Sequence, residues 1–215
     1  METTNKFFRN YDCEVRAENN EENGDYITGQ PIVFGVRTDI GGMFAEVIED
    51  NALDNADLKD VRFLVNHNLS MIPLARSRNN NANSTMQLER VDGGLNIRAN
   101  MDTENNETAR SLYSAVSRGD ISGMSFMFSV DGEEWTELDS DYPTRHITSI
   151  GHVFEVSAVT APAYEQTSIE ARSDANALES AKASLESARQ AEADKRSAQI
   201  AEMMERLNKI MEVEE

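Results

Sequence analysis

The chain has 215 residues and a formal net charge of −19, from 39 acidic and 20 basic side chains. That balance excludes a protein built to grip a phosphate backbone, which needs a concentrated basic surface. One cysteine, Cys13, excludes an intrachain disulfide and a cysteine-rich zinc site. No stretch approaches the roughly eighteen apolar residues of a membrane-spanning helix. The first residues show no basic segment followed by an apolar run, so no signal peptide is expected. The composition reads as an acidic, soluble protein suited to a reducing cytoplasm.

Residues 14–25 are charged and Asn-rich, and residues 1–25 read as an exposed or partly disordered lead-in. Pro31 to Arg37 reads as a strand with the proline at its first position, where a missing N–H is tolerated. Gly41-Gly42 marks a turn. Phe44 to Leu53 reads as part loop and part short helix. Val61 to Val65 reads as a mostly buried strand, and Asn79 to Asn83 as a polar loop. Met86–Arg90 and Leu95–Ala99 flank Asp92-Gly93-Gly94, a strong hairpin signal.

Ala109, Leu112, Tyr113 and Val116 fall at i, i+3, i+4 and i+7, so a helix is expected over 104–118. Asp102 or Thr103 is placed to cap its start, and Gly119 to end it. Four further strands are expected: 123–130, 134–138, 146–150 and 152–160. Many strands with few helices give an α+β fold, with a curved sheet or β-barrel core and flanking helices. From Arg172 onward the chain has no Pro, Gly or aromatic residue and is rich in Ala, Glu, Lys, Leu and Met, a composition that favours helix. The expected organisation is a lead-in over 1–25, a domain over 26–172, and a C-terminal helical tail over 173–215. Residues 170–215 carry 11 acidic and 7 basic side chains, so −15 of the net charge belongs to residues 1–169.

Three polar residues interrupt apolar strands. His67 ends Leu64-Val-Asn-His, Ser125 sits within Gly123-Met-Ser-Phe-Met-Phe, and Glu155 within Phe154-Glu-Val-Ser-Ala-Val. A lone polar residue in such a run needs a buried partner or a wet cleft. Together they offer a nucleophile, a general base and an acid to orient the base. Each also has a plain structural reading. His67 caps a strand end, Ser125 is a small strand residue, and Glu155 points to solvent from an edge strand.

The wording around these residues resembles the prohead (capsid maturation) serine proteases of tailed bacteriophages, whose fold is similar to the herpesvirus assemblins. The matching pieces are Gly29–Phe34, Gly42–Phe44 through Ile48, Asn66-His67-Asn68, Gly94-Leu95, Asp120–Phe128, and Glu155-Val-Ser-Ala-Val-Thr-Ala-Pro-Ala-Tyr164. They span about residues 26–172. The resemblance implies Ser125 as nucleophile, His67 as general base and Glu155 as third member. The related herpesvirus enzymes use a second histidine in that third role. His152 is the alternative of that kind here, and His146 a weaker one. Residues 152 and 155 face opposite sides of an extended strand, which favours Glu155. One departure from the family wording is Met127, where a glycine is frequent, and this larger side chain bears on specificity if it lines the substrate groove.

The resemblance further implies a serine endopeptidase that cleaves scaffold or capsid protein, and itself, inside an assembling procapsid in the host cytoplasm. Self-cleavage is expected in or near residues 165–200. The alternative is a non-enzymatic assembly or scaffolding protein acting through its acidic domain and helical tail. Three histidines without clustered ligand spacing imply no metal and no cofactor. In the tail, Leu178, Ala181, Leu185 and Ala188 form one apolar stripe, and Ile200, Met203, Leu207 and Ile210 a second, shifted by one residue. This suggests self-association or scaffold docking through the tail, weighed equally against a solvated helix packed on its own domain. Neither nucleic acid nor membrane is expected as a direct partner. A surface this acidic suits basic partners.

Overall fold

The computed structural model describes residues 7–12, 15–20, 24–160 and 175–213. In chain order the elements are β1 (Phe7–Asp12), β2 (Arg16–Asn20), β3 (Gly24–Val33), β4 (Thr38–Ile40), β5 (Phe44–Ile48), β6 (Asp60–Val65), β7 (Ala75–Arg78), β8 (Met86–Val91) and β9 (Gly94–Asn100). They continue with α1 (Glu107–Ser117), β10 (Gly123–Thr136), β11 (Thr144–Val159) and α2 (Ala175–Val213). This is the α+β class expected from the sequence, with two sheets and a C-terminal helix.

A seven-stranded sheet runs β1-β10-β11-β5-β4, and β6 also pairs with β11 and carries β7. The second sheet is the antiparallel series β2-β3-β9-β8. Strand β11 is the hub. It pairs antiparallel with β10 along nearly its whole length, and parallel with β5 at one end and β6 at the other. Ile27, Ile32 and Ile97 from the small sheet join Phe126, Phe128, Val153 and Val156 from the large one in a single buried cluster. Burial of such side chains contributes roughly 1.5–3 kcal/mol each.

Several expectations change. The expected lead-in holds two strands, β1 and β2. Strand β2 is held at an edge: Tyr26 and Thr28 both donate their hydroxyls to Glu18, at 3.1 and 2.8 Å. An edge strand needs no apolar outer face, so its charge hid it from a hydropathy reading. Pro31 lies inside β3, not at its start, where the register with β9 slips between Gly29 and Ile32. A bulge of this kind accommodates a residue that cannot donate to the ladder. Phe44 to Ile48 is a strand, with no helix. The four strands expected after residue 122 are two long ones, because bulges near 127–133 bend the β10–β11 hairpin without ending it.

The hairpin of β8 and β9 forms as expected. Its Gly94 has φ 147°, and a Cβ there would lie 1.9 Å from the Ile32 carbonyl oxygen, so no other residue fits. Helix α1 starts later than expected. Its cap is Asn106, which accepts from the Ala109 N–H at 3.1 Å, while Asp102 caps the preceding turn through Asn105. Gly119, with φ 77°, ends the helix.

Among the described residues, helix α2 packs by its first half. Ala181 and Leu185 are buried, and the Trp135 indole N–H donates to Ser184 Oγ at 3.0 Å. Ser184 in turn donates to Glu133. Arg189 reaches the carbonyls of Leu138 and Ser140, and Arg196 pairs with Asp139 at 2.6 Å. Beyond that point Ile200, Met203, Met204 and Leu207 are all more than half exposed. The first half is thus packed on the protein's own domain, one of the two weighed readings, and the second stripe is exposed. The side chain of Ile210 and the expected boundary at 172/173 lie outside the described residues.

Beneath α2 sits a buried ion network. Arg145 Nη1 is 3.1 Å from Glu46 Oε2, with both side chains almost fully buried, and Arg145 Nε is 2.7 Å from Glu133 Oε2. The guanidinium lies 4.7 Å from the centre of the Phe7 ring. Each charge is therefore partnered, as burial demands.

Candidate active site

Strands β10, β11 and β6 lie side by side and set the candidate residues in register. Ser125 on β10 pairs with Ser157 on β11, and Ser157 pairs with Leu64 on β6. Directly opposed residues share a face of the sheet with Cβ atoms about 4.5–5.5 Å apart. Glu155 precedes Ser157 by two residues and so projects from that same face. The chain leaving β6 then turns over it and brings His67 down.

That turn is unusual. Asn66 and His67 both have positive φ, 48° and 54°. Two successive non-glycine residues in the left-handed region need outside support. Asn66 N–H donates to the Ala158 carbonyl at 3.0 Å, and the Asn66 side chain accepts from Thr160 N–H at 3.0 Å. His67 N–H donates to Ser157 Oγ at 3.2 Å. The turn is thereby bolted onto β11, whose carboxylate it must meet.

His67 Nδ1 lies 2.5 Å from Glu155 Oε1. An ionised carboxylate only accepts, so Nδ1 carries the proton and Nε2 is the acceptor of the neutral ring. The other oxygen, Glu155 Oε2, accepts from Ser157 Oγ at 2.5 Å. Glu155 is fully buried, and the His67 side chain is 15% exposed. The plain reading of Glu155 as a solvent-facing edge residue is therefore overturned, since β11 is a central strand here. Ser125 is likewise buried, between β1 and β11, with Asn10 as its register partner on β1.

The other two histidines are engaged elsewhere. His152 Nδ1 is 3.7 Å from Asp57 Oδ2, and its ring stacks on Phe154 at 4.3 Å. His146 Nδ1 is 2.6 Å from Glu49 Oε1, and its Nε2 is 3.0 Å from Thr136 Oγ1. Met127 stands opposite Glu155 in the register and is buried. Its larger side chain fills space on the acid's side of the site and does not line an open surface. The sequence reading missed Ser157. Its signal was the i, i+2 spacing from Glu155, which places both on one face of any strand.

Residues 11–182 match the Caudovirus prohead serine protease family. The chain belongs to that family. It is thus a serine protease of the prohead, capsid-maturation type found in tailed bacteriophages. No curated protein matches it in sequence. Among solved structures it is similar to the bacteriophage T4 capsid assembly protease, gp21, at 14% identity and a TM-score of 0.39, over 72% of this chain and 99% of that one. The family match begins inside β1 and runs into α2, so it covers the whole candidate site.

Proposed function

We propose that this prohead protease is an endopeptidase that cleaves scaffold or capsid protein, and its own chain, within the assembling procapsid. Ser125 attacks the scissile carbonyl while His67 Nε2 takes its proton, forming an acyl-enzyme. His67 then returns that proton to the leaving amine, and in the second half activates water. Glu155 holds the ring in the required tautomer and stabilises the imidazolium. The observation that carries this reading is the 2.5 Å contact from His67 Nδ1 to Glu155, on the sheet face from which Ser125 projects and two residues before its register partner Ser157. The decisive experiment is co-expression with the capsid and scaffold proteins of the same phage, followed by mass spectrometry of all chains. Wild type should yield processed products and self-cleavage in or near residues 165–200. Ser125→Ala should yield none, and equal processing by that variant would end the proposal.

The tail supports a second role in the same process. The exposed stripe of Ile200, Met203, Met204 and Leu207 suits packing against an amphipathic helix of a scaffold or capsid subunit. In this reading residues 173–215 recruit the enzyme into the shell. Truncation after Gln199 should leave peptide cleavage intact and reduce incorporation into proheads. Normal incorporation of that truncation would remove the role.

A further inference from the structure

Ser157 holds a position that the three-residue scheme leaves unused. Its hydroxyl makes two bonds with opposite polarity. It donates to Glu155 Oε2 at 2.5 Å and accepts from the His67 backbone N–H at 3.2 Å. It is fully buried and pairs in register with Ser125. One oxygen therefore fixes the carboxylate's free lone pairs, the left-handed turn that carries the imidazole, and the strand position facing the nucleophile.

We infer that Ser157 is a positioning residue for this protease, acting through Glu155 and the His67 turn. The inference rests on the catalytic reading of Ser125, His67 and Glu155. The physical argument is one of orientation. A carboxylate bonded through only one oxygen can rotate about its terminal torsion, a broad and soft one. With Ser157 on Oε2, rotation would break that bond, so Oε1 stays aimed at Nδ1. The His67 turn has the same need, because its positive φ values are held by bonds to β11. A backbone N–H left without its buried acceptor would favour a different turn conformation. Displacements of about 1 Å at such a site cost on the order of 10²-fold in rate. Ser157 touches no reacting atom in this scheme. Its effect should appear in the chemical step and not in ligand affinity.

The test uses the full-length chain and a fluorophosphonate probe, which modifies an activated serine without requiring knowledge of the cleavage sequence. The rate of inactivation at saturation and the half-saturating probe concentration are measured for wild type, Ser157→Ala, Ser157→Thr, Glu155→Gln and the Ser157→Ala/Glu155→Gln pair. Mass spectrometry locates the adduct. The expected result is an adduct at Ser125, a saturating rate about 10- to 100-fold lower in Ser157→Ala at unchanged half-saturation, and recovery to within a few-fold by the hydroxyl of Ser157→Thr. In the Glu155→Gln background the same change should cost little more, because both act on one ring. Failure of wild type to label at Ser125 would overturn the catalytic reading and this inference with it. Labelling at Ser125 with an unaffected Ser157→Ala rate would overturn the inference alone. So would a change confined to half-saturation, or full additivity with Glu155→Gln.

Discussion

Ser125 stands directly opposite Ser157, whose hydroxyl bonds both the Glu155 carboxylate and the His67 backbone. The proposed nucleophile and the residue that organises its proposed base thus form one rung of the ladder. Ser125→Ala removes one oxygen from a buried position and should leave the fold intact. Cleavage and fluorophosphonate labelling should fall by about 10⁴-fold or more, with the thermal midpoint within a few degrees of wild type. Activity near wild type would show that another residue is the nucleophile.

The third position separates Glu155 from His152. Glu155→Gln keeps the shape but offers an amide to His67 Nδ1, which favours the wrong tautomer. Its turnover should fall by about 10³–10⁴-fold. His152→Ala loses a 3.7 Å contact with Asp57 and a ring stack on Phe154, so its turnover should stay within a few-fold of wild type. Measuring both variants on the same self-processing reaction checks the assignment. The opposite ranking would exchange the two residues.

The sequence reading reached this site unevenly, for physical reasons. Ser125 and Glu155 were visible because each is polar within an apolar strand, and His67 because it closely follows one; burying such a residue demands a partner. The hairpin at Asp92-Gly93 and the helix face of Ala109, Leu112 and Val116 were visible because turn chemistry and periodicity are local. The paired left-handed residues at Asn66 and His67 were not, since their backbone is held by Ala158, Ser157 and Thr160, more than ninety positions away or nearly so. The same non-locality hid the bulges of β10 and β11, which turned two expected strand pairs into one bent hairpin. Charged edge strands such as β2 carry no apolar alternation to detect.

Arg145 ties the turn end of this bent hairpin to β5 through Glu46. Arg145→Met would leave Glu46 buried without its cation, and breaking a buried pair this way costs about 3–5 kcal/mol. Replacing Glu46 by Leu in the same chain removes the stranded charge and should recover a large part of that loss. Urea denaturation of the single and double variants measures both. A single variant as stable as wild type would show that the network adds nothing.

Trp135 is the only tryptophan, and its indole bonds Ser184 of α2. Its emission therefore reports docking of the helix. Truncation after Gln199 removes only the exposed stripe and should leave the emission maximum unchanged. Truncation before Ala175 removes Ser184 and the buried Ala181 and Leu185, and should shift the emission to longer wavelength as water reaches the ring. No shift in that shorter chain would mean that the packed half of α2 does not cover Trp135 in solution.

Asp60 and Arg76 clamp the start of β6, the strand that leads to the His67 turn, to β7. Both guanidinium bonds are 2.6 Å long, from Nε to Oδ1 and from Nη2 to Oδ2. The bonds to Arg76 hold the Asp60 carboxyl below its ordinary value of about 3.9. A carboxyl whose pKa is lower when folded stabilises the fold above the unfolded value, and that stability is lost as pH falls through the folded value. Both side chains are well exposed, so solvent screening limits the contribution to about 1 kcal/mol or less. Asp60→Asn should therefore be slightly less stable than wild type at neutral pH, and the gap should close below about pH 4. Urea midpoints measured across pH 3–7 would show this convergence. A gap that persists or widens toward pH 3 would mean that the clamp stabilises by packing and not by charge.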